Sequence, residues 1–262
     1  MKTILLTGAT GRIGRSLRPA LRGDYRLILF NRSDIPDLAS NETLIRGDLA
    51  DAAAVERAAR GADAIVHMGA VATVKGFREL LLPANILGAY NIFEAARVCG
   101  VRRVVYASSH HAVGYYPAGE PIDDRVPVRP DSMYGVTKCF GEAMGRFYAE
   151  KAGLEVVCQR IGAFRERPIE ERHLAVWISP GDMERLVRAS VEAPGVTFEI
   201  VYGVSNNTRR WWDLRRAEQV LGYRPQDDAE AYAKEILKEP AEEWQERVRW
   251  HGGDRVDLPF MP

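Results

Sequence analysis

Tyr134 and Lys138 stand four residues apart in a stretch of helical periodicity, so both side chains project from one face. A lone tyrosine is a poor base at neutral pH, because its phenol titrates near 10. An ammonium at ~4.5 Å, in an effective dielectric of about 20, favours the phenolate by about 3–4 kcal/mol. On that argument Tyr134 becomes a general base near neutrality, with Lys138 as its activating partner. Ser109, at the end of a strand-like run, is placed to hold a substrate oxygen by a hydrogen bond. Ser109, Tyr134 and Lys138 therefore read as a set for removing a proton from a hydroxyl group.

Such chemistry needs a hydride acceptor, and the start of the chain offers a place for one. TGATGRIG puts Gly8, Gly11 and Gly14 directly after an apolar run and at the opening of a helix. Glycines there let the backbone approach a pyrophosphate, whose charge meets the helix's free N–H groups. Arg12 and Ile13 lie inside the loop. The next strand ends in LFNRS, so Arg32 stands where an acidic residue would mark a free ribose 2′-hydroxyl. An arginine suits a 2′-phosphate, with Arg12 as a second cationic contact. The cofactor is expected to be NAD or NADP, with NADP favoured by these two arginines. Asp48 and Leu49, after the third strand, are expected at the adenine, and Tyr134 and Lys138 are expected to touch the cofactor as well.

The elements that position these residues alternate regularly. Strand-like runs cover Thr3–Thr7, Arg26–Phe30, Thr43–Arg46, Ala64–Met68, Arg103–Ser108 and Glu155–Arg160. Their hydrophobicity is continuous, as in strands buried on both faces of a parallel sheet. Helical patterns fill Arg12–Leu21, Asp51–Ala59, Leu82–Val98 and Tyr134–Ala152. The expected fold is α/β, a Rossmann-type doubly wound parallel sheet with a small C-terminal substrate-binding part. Residues 1–161 form the dinucleotide-binding core and residues 162–262 the substrate part, with a helix and strand at about 180–203 returning to the core. Pro19 should kink the first helix or limit its regularity, and Gly153 should stop the fourth. No strand pattern is visible between Gly162 and Trp177.

Composition narrows the classes further. Of 262 residues 46 % are apolar and 27 % charged, enough to fill a sizeable core. Lys+Arg and Asp+Glu both number 36, so no global field steers the chain to nucleic acid or an acidic membrane. No apolar run approaches the length of a membrane span. Three scattered cysteines, Cys99, Cys139 and Cys158, read as reduced thiols of a cytoplasmic protein. No metal site is expected, and the partners expected are a small-molecule substrate and further copies of the chain.

The glycine loop, the GDL after strand three, Ser109 and the YGVTK box follow one another as in the extended short-chain dehydrogenase/reductase family, which the chain resembles over nearly its whole length. Within that family, SSHHAVGYYP, YGVTKCFGE, RIG followed by Arg172, and WWD at Trp211–Asp213 are most similar to the uronate dehydrogenase group. The resemblance implies oxidation of a hexuronate at C1 to a lactone, with hydride passing to the nicotinamide. It also implies that Thr73, Ser109, His110, His111 and Tyr134 surround the sugar and that Arg172 binds its carboxylate. The group carries an acidic residue at Arg32, a serine at Ala163 and SSNH in place of SSHH; the first difference bears on the cofactor, the others on the sugar. Arg165 and Arg167 bring further positive charge to the substrate loop and leave room for a sugar phosphate. A nucleotide-sugar epimerase or dehydratase, and a non-catalytic NADP sensor, remain as alternatives.

Overall fold

The computed structural model describes residues 1–239 and 241–259. Its nine strands in chain order are β1 Thr3–Thr7, β2 Arg26–Asn31, β3 Glu42–Arg46, β4 Ala64–His67, β5 Arg103–Ser109, β6 Glu155–Ile161, β7 Ala163–Phe164, β8 Trp177–Ile178 and β9 Phe198–Gly203. Seven of them form one sheet in the order β3-β2-β1-β4-β5-β6-β9, with every pairing parallel. The chain winds outward from β1 to β3, then returns to β4 on the other side of β1. That reversal opens a crevice at the carboxyl ends of β1 and β4, where ligands of such sheets bind.

Helices cover both faces, as a parallel sheet of apolar strands requires. Helices α1 (Arg12–Leu21) and, later in the chain, α6 (Pro180–Glu192) bury Leu17, Leu21, Met183, Leu186 and Val187 against Ile4, Leu6 and Val157. On the opposite face α2 (Ala52–Ala59), α3 (Gly88–Cys99) and α4 (Met133–Ala152) bury Val55, Ile92, Phe93 and Tyr148 against Leu5, Ile65 and Val156. Ser132 caps α4, its hydroxyl accepting the Gly135 N–H at 3.2 Å, and Gly153 ends the helix in the left-handed conformation. Pro19 is exposed in the last turn of α1, where it removes the hydrogen bond to the carbonyl four residues earlier, and the helix closes two residues later at Leu21.

Two sequence expectations need correcting. The helix read at Leu82–Val98 is preceded by a wider π-helical spiral over Phe77–Leu87 and becomes α-helical only at Gly88. Pro83 sits inside that spiral and cannot donate; the Gly88 N–H reaches back five residues to the Pro83 carbonyl. The stretch after Gly162, read without strands, contains β7 and β8, paired in parallel, and the short helix α5 (His173–Val176). Two-residue strands are too short to show any periodicity.

Beyond residue 203 part of the chain joins the α6 face, where Ala217, Leu221 and Tyr223 share a core with Leu186 and Val187, and part builds a second cluster. Trp211, Trp212 and Trp244 form a separate apolar cluster with Val113, Val176 and Tyr202. Trp212 stacks on Tyr202 with ring centroids 5.2 Å apart, and Trp211 stacks on His251 at 4.9 Å. This cluster anchors the segment around His251–Arg255 beside the crevice.

Candidate active site

Gly8 adopts a φ of +69°, and a Cβ there would come within 2.8 Å of the Gly69 backbone. A Cβ on Gly14 would sit 2.1 Å from the Gly8 carbonyl oxygen, so the loop and α1 can approach only without side chains. The Gly11 N–H closes the turn onto the Gly8 carbonyl at 2.9 Å. Helix α1 begins with no side-chain cap, which leaves its first N–H donors for an anionic group. These features fit the pyrophosphate of a dinucleotide.

A pocket of about 200 Å³ continues from the loop past Phe30, Asn31, Arg32, Asp48 and Leu49. Its shape is fixed by the Thr10 hydroxyl donating to Asn31 Oδ1 at 2.9 Å and by the Asn91 amide donating to the Leu49 carbonyl at 2.8 Å. Asp48 spends one carboxylate oxygen on the Ala50 N–H, at 2.9 Å. Arg32 is exposed at the rim. Arg12 and Ile13 line the neighbouring, larger cavity, and Gly8 and Gly11 border both. Replacing Arg32 by Asp should lower kcat/KM with NADP by roughly 10- to 100-fold, the worth of one charge-assisted hydrogen bond, and leave NAD within a few-fold. Equal effects on both cofactors would remove Arg32 from the 2′ position.

The larger cavity, about 430 Å³, is lined by Ser109, His110, His111, Tyr134, Lys138, Arg165, Arg172 and Arg255. Ser109 ends β5, His110 and His111 open the 3₁₀ turn that follows, and α4 delivers Tyr134 and Lys138. The Lys138 ammonium donates to the Ala107 carbonyl at 2.7 Å and lies 5.5 Å from the Tyr134 ring centroid. Burial pushes Lys138 down to about 8. It also raises the Tyr134 phenol above its ordinary value, outweighing the Ser109 hydroxyl and the Arg255 guanidinium, which pull it down. Loss of water at both groups therefore opposes the electrostatic activation expected between Lys138 and the phenol.

The histidines are held neutral by burial, reinforced by nearby cations. Since the Ile161 carbonyl can only accept, His110 donates through Nδ1 at 3.0 Å, leaving Nε2 to accept from Arg172 Nη1 at 3.3 Å. His111 Nδ1 meets Asp131 Oδ2 at 2.6 Å, and Ser132 donates to the other carboxylate oxygen at 2.8 Å. Arg172 is further held by the His251 carbonyl at 3.2 Å and Glu170 at 3.3 Å. His110 thus positions an arginine.

Thr73 is half-buried in the loop after β4, its hydroxyl accepting the Lys75 N–H at 3.2 Å, and it does not line the cavity. Arg167 is exposed and 3.7 Å from Glu235, whereas Arg165 faces the cavity. Several contributing residues escape sequence reasoning. Buried Asn85 clasps both the N–H and carbonyl of Val71 and donates to Thr137, which bonds the Tyr134 carbonyl. Asp131 and Ser132 carry a readable signal, an acid and a cap before the tyrosine helix. Arg255 carries none.

A dinucleotide cradle opening onto a serine, a tyrosine and a lysine is the cleft of a nicotinamide-dependent short-chain dehydrogenase. The chain belongs to the NAD dependent epimerase/dehydratase family, whose profile matches residues 4–176. It is 43 % identical over 242 residues to the uronate dehydrogenase of Pseudomonas putida, covering 91 % of this chain and 89 % of that protein. The uronate dehydrogenase of Agrobacterium fabrum is 41 % identical, covering 100 % of this chain and 99 % of that protein. Among solved structures, a mutant uronate dehydrogenase from Agrobacterium tumefaciens complexed with NAD superposes with a TM-score of 0.92, at 40 % identity and full coverage of both chains.

Proposed function

We propose that the protein oxidises C1 of a hexuronate, such as glucuronate or galacturonate, to the corresponding lactone. The observation that carries this reading is Arg172, held by His110 in the wall of the cavity that contains Ser109, Tyr134 and Lys138. A guanidinium suits a carboxylate because it offers paired N–H donors in one plane. The bound nicotinamide dinucleotide supplies the hydride acceptor; the similarity to a protein complexed with NAD supports NAD, and Arg32 admits NADP. Gly8, Gly11 and Gly14 hold the pyrophosphate, while Asp48 and Leu49 flank the adenosine. Ser109 donates to the C1 oxygen. Tyr134 takes the hydroxyl proton as the C1–H bond releases its electron pair, leaving C1 as a carbonyl. His111, fixed by Asp131, orients a sugar hydroxyl, and Lys138 supports the tyrosinate from behind.

The test is reduced-nicotinamide absorbance with uronates, parent hexoses and sugar phosphates, each with NAD and with NADP. Uronates should be the best substrates. Preference for a sugar phosphate would instead assign the role to Arg165 and overturn the uronate reading. Arg172→Ala should cost roughly 10- to 100-fold in kcat/KM for the uronate, equivalent to about 1.5–3 kcal/mol, with a much smaller loss for the parent hexose. Equal losses on both would make Arg172 structural.

A further inference from the structure

The sequence offers no reason to place Arg255 in the site, yet the fold brings it there. It lies in the 3₁₀ turn Gly253–Asp257, on the segment anchored by the stacking of Trp211 on His251. Its guanidinium carbon sits 5.3 Å above the Tyr134 ring centroid, and the side chain lines the same cavity as Ser109, His111 and Arg172. Nη1 of Arg255 is buried and has no hydrogen-bond partner among the described residues.

A buried N–H donor on a charged group is costly to leave unpaired, so such an atom in a binding cavity marks a place where a ligand supplies the acceptor. Three of the acids nearby are already engaged, Asp131 by His111 and Ser132, Asp257 by Arg249, and Glu170 by Arg172 and His173, and Asp254, next to Arg255 in the chain, is exposed and makes no hydrogen bond to it. Arg172 is tied to three protein groups, whereas Arg255 has no such acceptor. Both guanidiniums line the same cavity, and Arg172 packs against Gly253, two residues before Arg255: a Cβ on Gly253 would lie 2.6 Å from Arg172 Nε.

We propose that Arg255 is a second substrate-binding arginine and that the acid group of the sugar is held between it and Arg172. This rests on the uronate reading above and deepens it: the site is built for an anionic sugar by two guanidiniums from separate elements, one prearranged by protein contacts and one completed by the substrate itself. With Arg165 also facing the cavity, the positive charge around the sugar exceeds what a neutral hexose would require. Arg255 touches the face of Tyr134, not its hydroxyl, and is a binding residue rather than the base.

The experiment compares wild type, Arg255→Gln and Arg255→Lys on a hexuronate and its parent hexose, at saturating cofactor and across pH. For Arg255→Gln, kcat/KM on the uronate should fall roughly 10- to 100-fold, mostly through KM, with the hexose changed less than about threefold. Arg255→Lys should recover part of the loss, because it keeps the charge without the planar fork. If wild type oxidises no uronate, the functional reading itself fails. If wild type does so but Arg255→Gln loses both sugars equally, with the acid limb of the pH profile moved upward, Arg255 acts only on Tyr134 and the proposal is overturned. An unchanged uronate KM overturns it too.

Discussion

Tyr134→Phe should lower turnover by at least about 100-fold, the low end for losing a positioned general base. The substitution removes one oxygen and keeps the ring. The edge-to-face contact with His111 at 5.8 Å and the cations near its face therefore survive. The glycine loop and the adenosine pocket do not include Tyr134, so cofactor affinity should stay within about threefold of wild type. Steady-state rates and a fluorescence titration with reduced cofactor measure the two quantities separately. A rate near wild type would take the proton transfer away from Tyr134. A large loss of cofactor affinity with unchanged turnover would make the phenol a binding group.

The second large effect concerns stability. Glu142 on α4 and Arg160 on β6 form a buried pair with two hydrogen bonds, both 2.9 Å, and the Ser108 hydroxyl adds a third to Glu142 at 2.6 Å. Arg160 is 1 % exposed. Removing the carboxylate leaves its guanidinium with only the Tyr202 hydroxyl, 3.5 Å away. Breaking one side of a buried pair costs about 3–5 kcal/mol, because an uncompensated charge remains. In a chain of this size that corresponds to a drop in Tm on the order of 10 °C for Glu142→Ala. Replacing both partners with apolar residues of similar volume should recover much of the loss. A Glu142→Ala protein melting within about 2 °C of wild type would show that water reaches Arg160 and the pair is not sealed.

The sheet was legible because its strands are apolar throughout and the helices between them repeat at helical spacing. Continuous runs such as TILLT and RVVYAS have only one economical home, between two layers of helices. Local chemistry was legible wherever a backbone need and a residue type coincide, as at Gly8, Gly14 and Gly153. What remained hidden depends on contacts between distant segments. That Arg12, in the glycine loop, lines the larger cavity while Arg32 lines the adenosine pocket follows from how α1 and β2 are set against each other, which no local pattern carries. The desolvation that opposes activation of Tyr134 by Lys138 was not legible, because water loss at both groups is a property of the packed cleft. Asn85 looks like an ordinary helix residue until its amide is seen clasping the Val71 backbone from fourteen positions away.

The strand order also bears on how such a protein diversifies. Everything proposed to read the adenosine end of the cofactor comes from β1 to β3 and the turns after them, within the first fifty residues. Everything proposed to touch the sugar comes from β5 onward, on the far side of β1. The two tasks share a sheet but hardly share a side chain. Drift at position 32 can alter which electron carrier is drawn from the cell without touching the chemistry at Tyr134. Changes around positions 163–172 and 251–255 can retune the accepted sugar while the carrier stays the same. The reversal of winding at β1 thus makes the two specificities separately heritable, and segments exchanged between relatives at that seam should transfer one trait without the other.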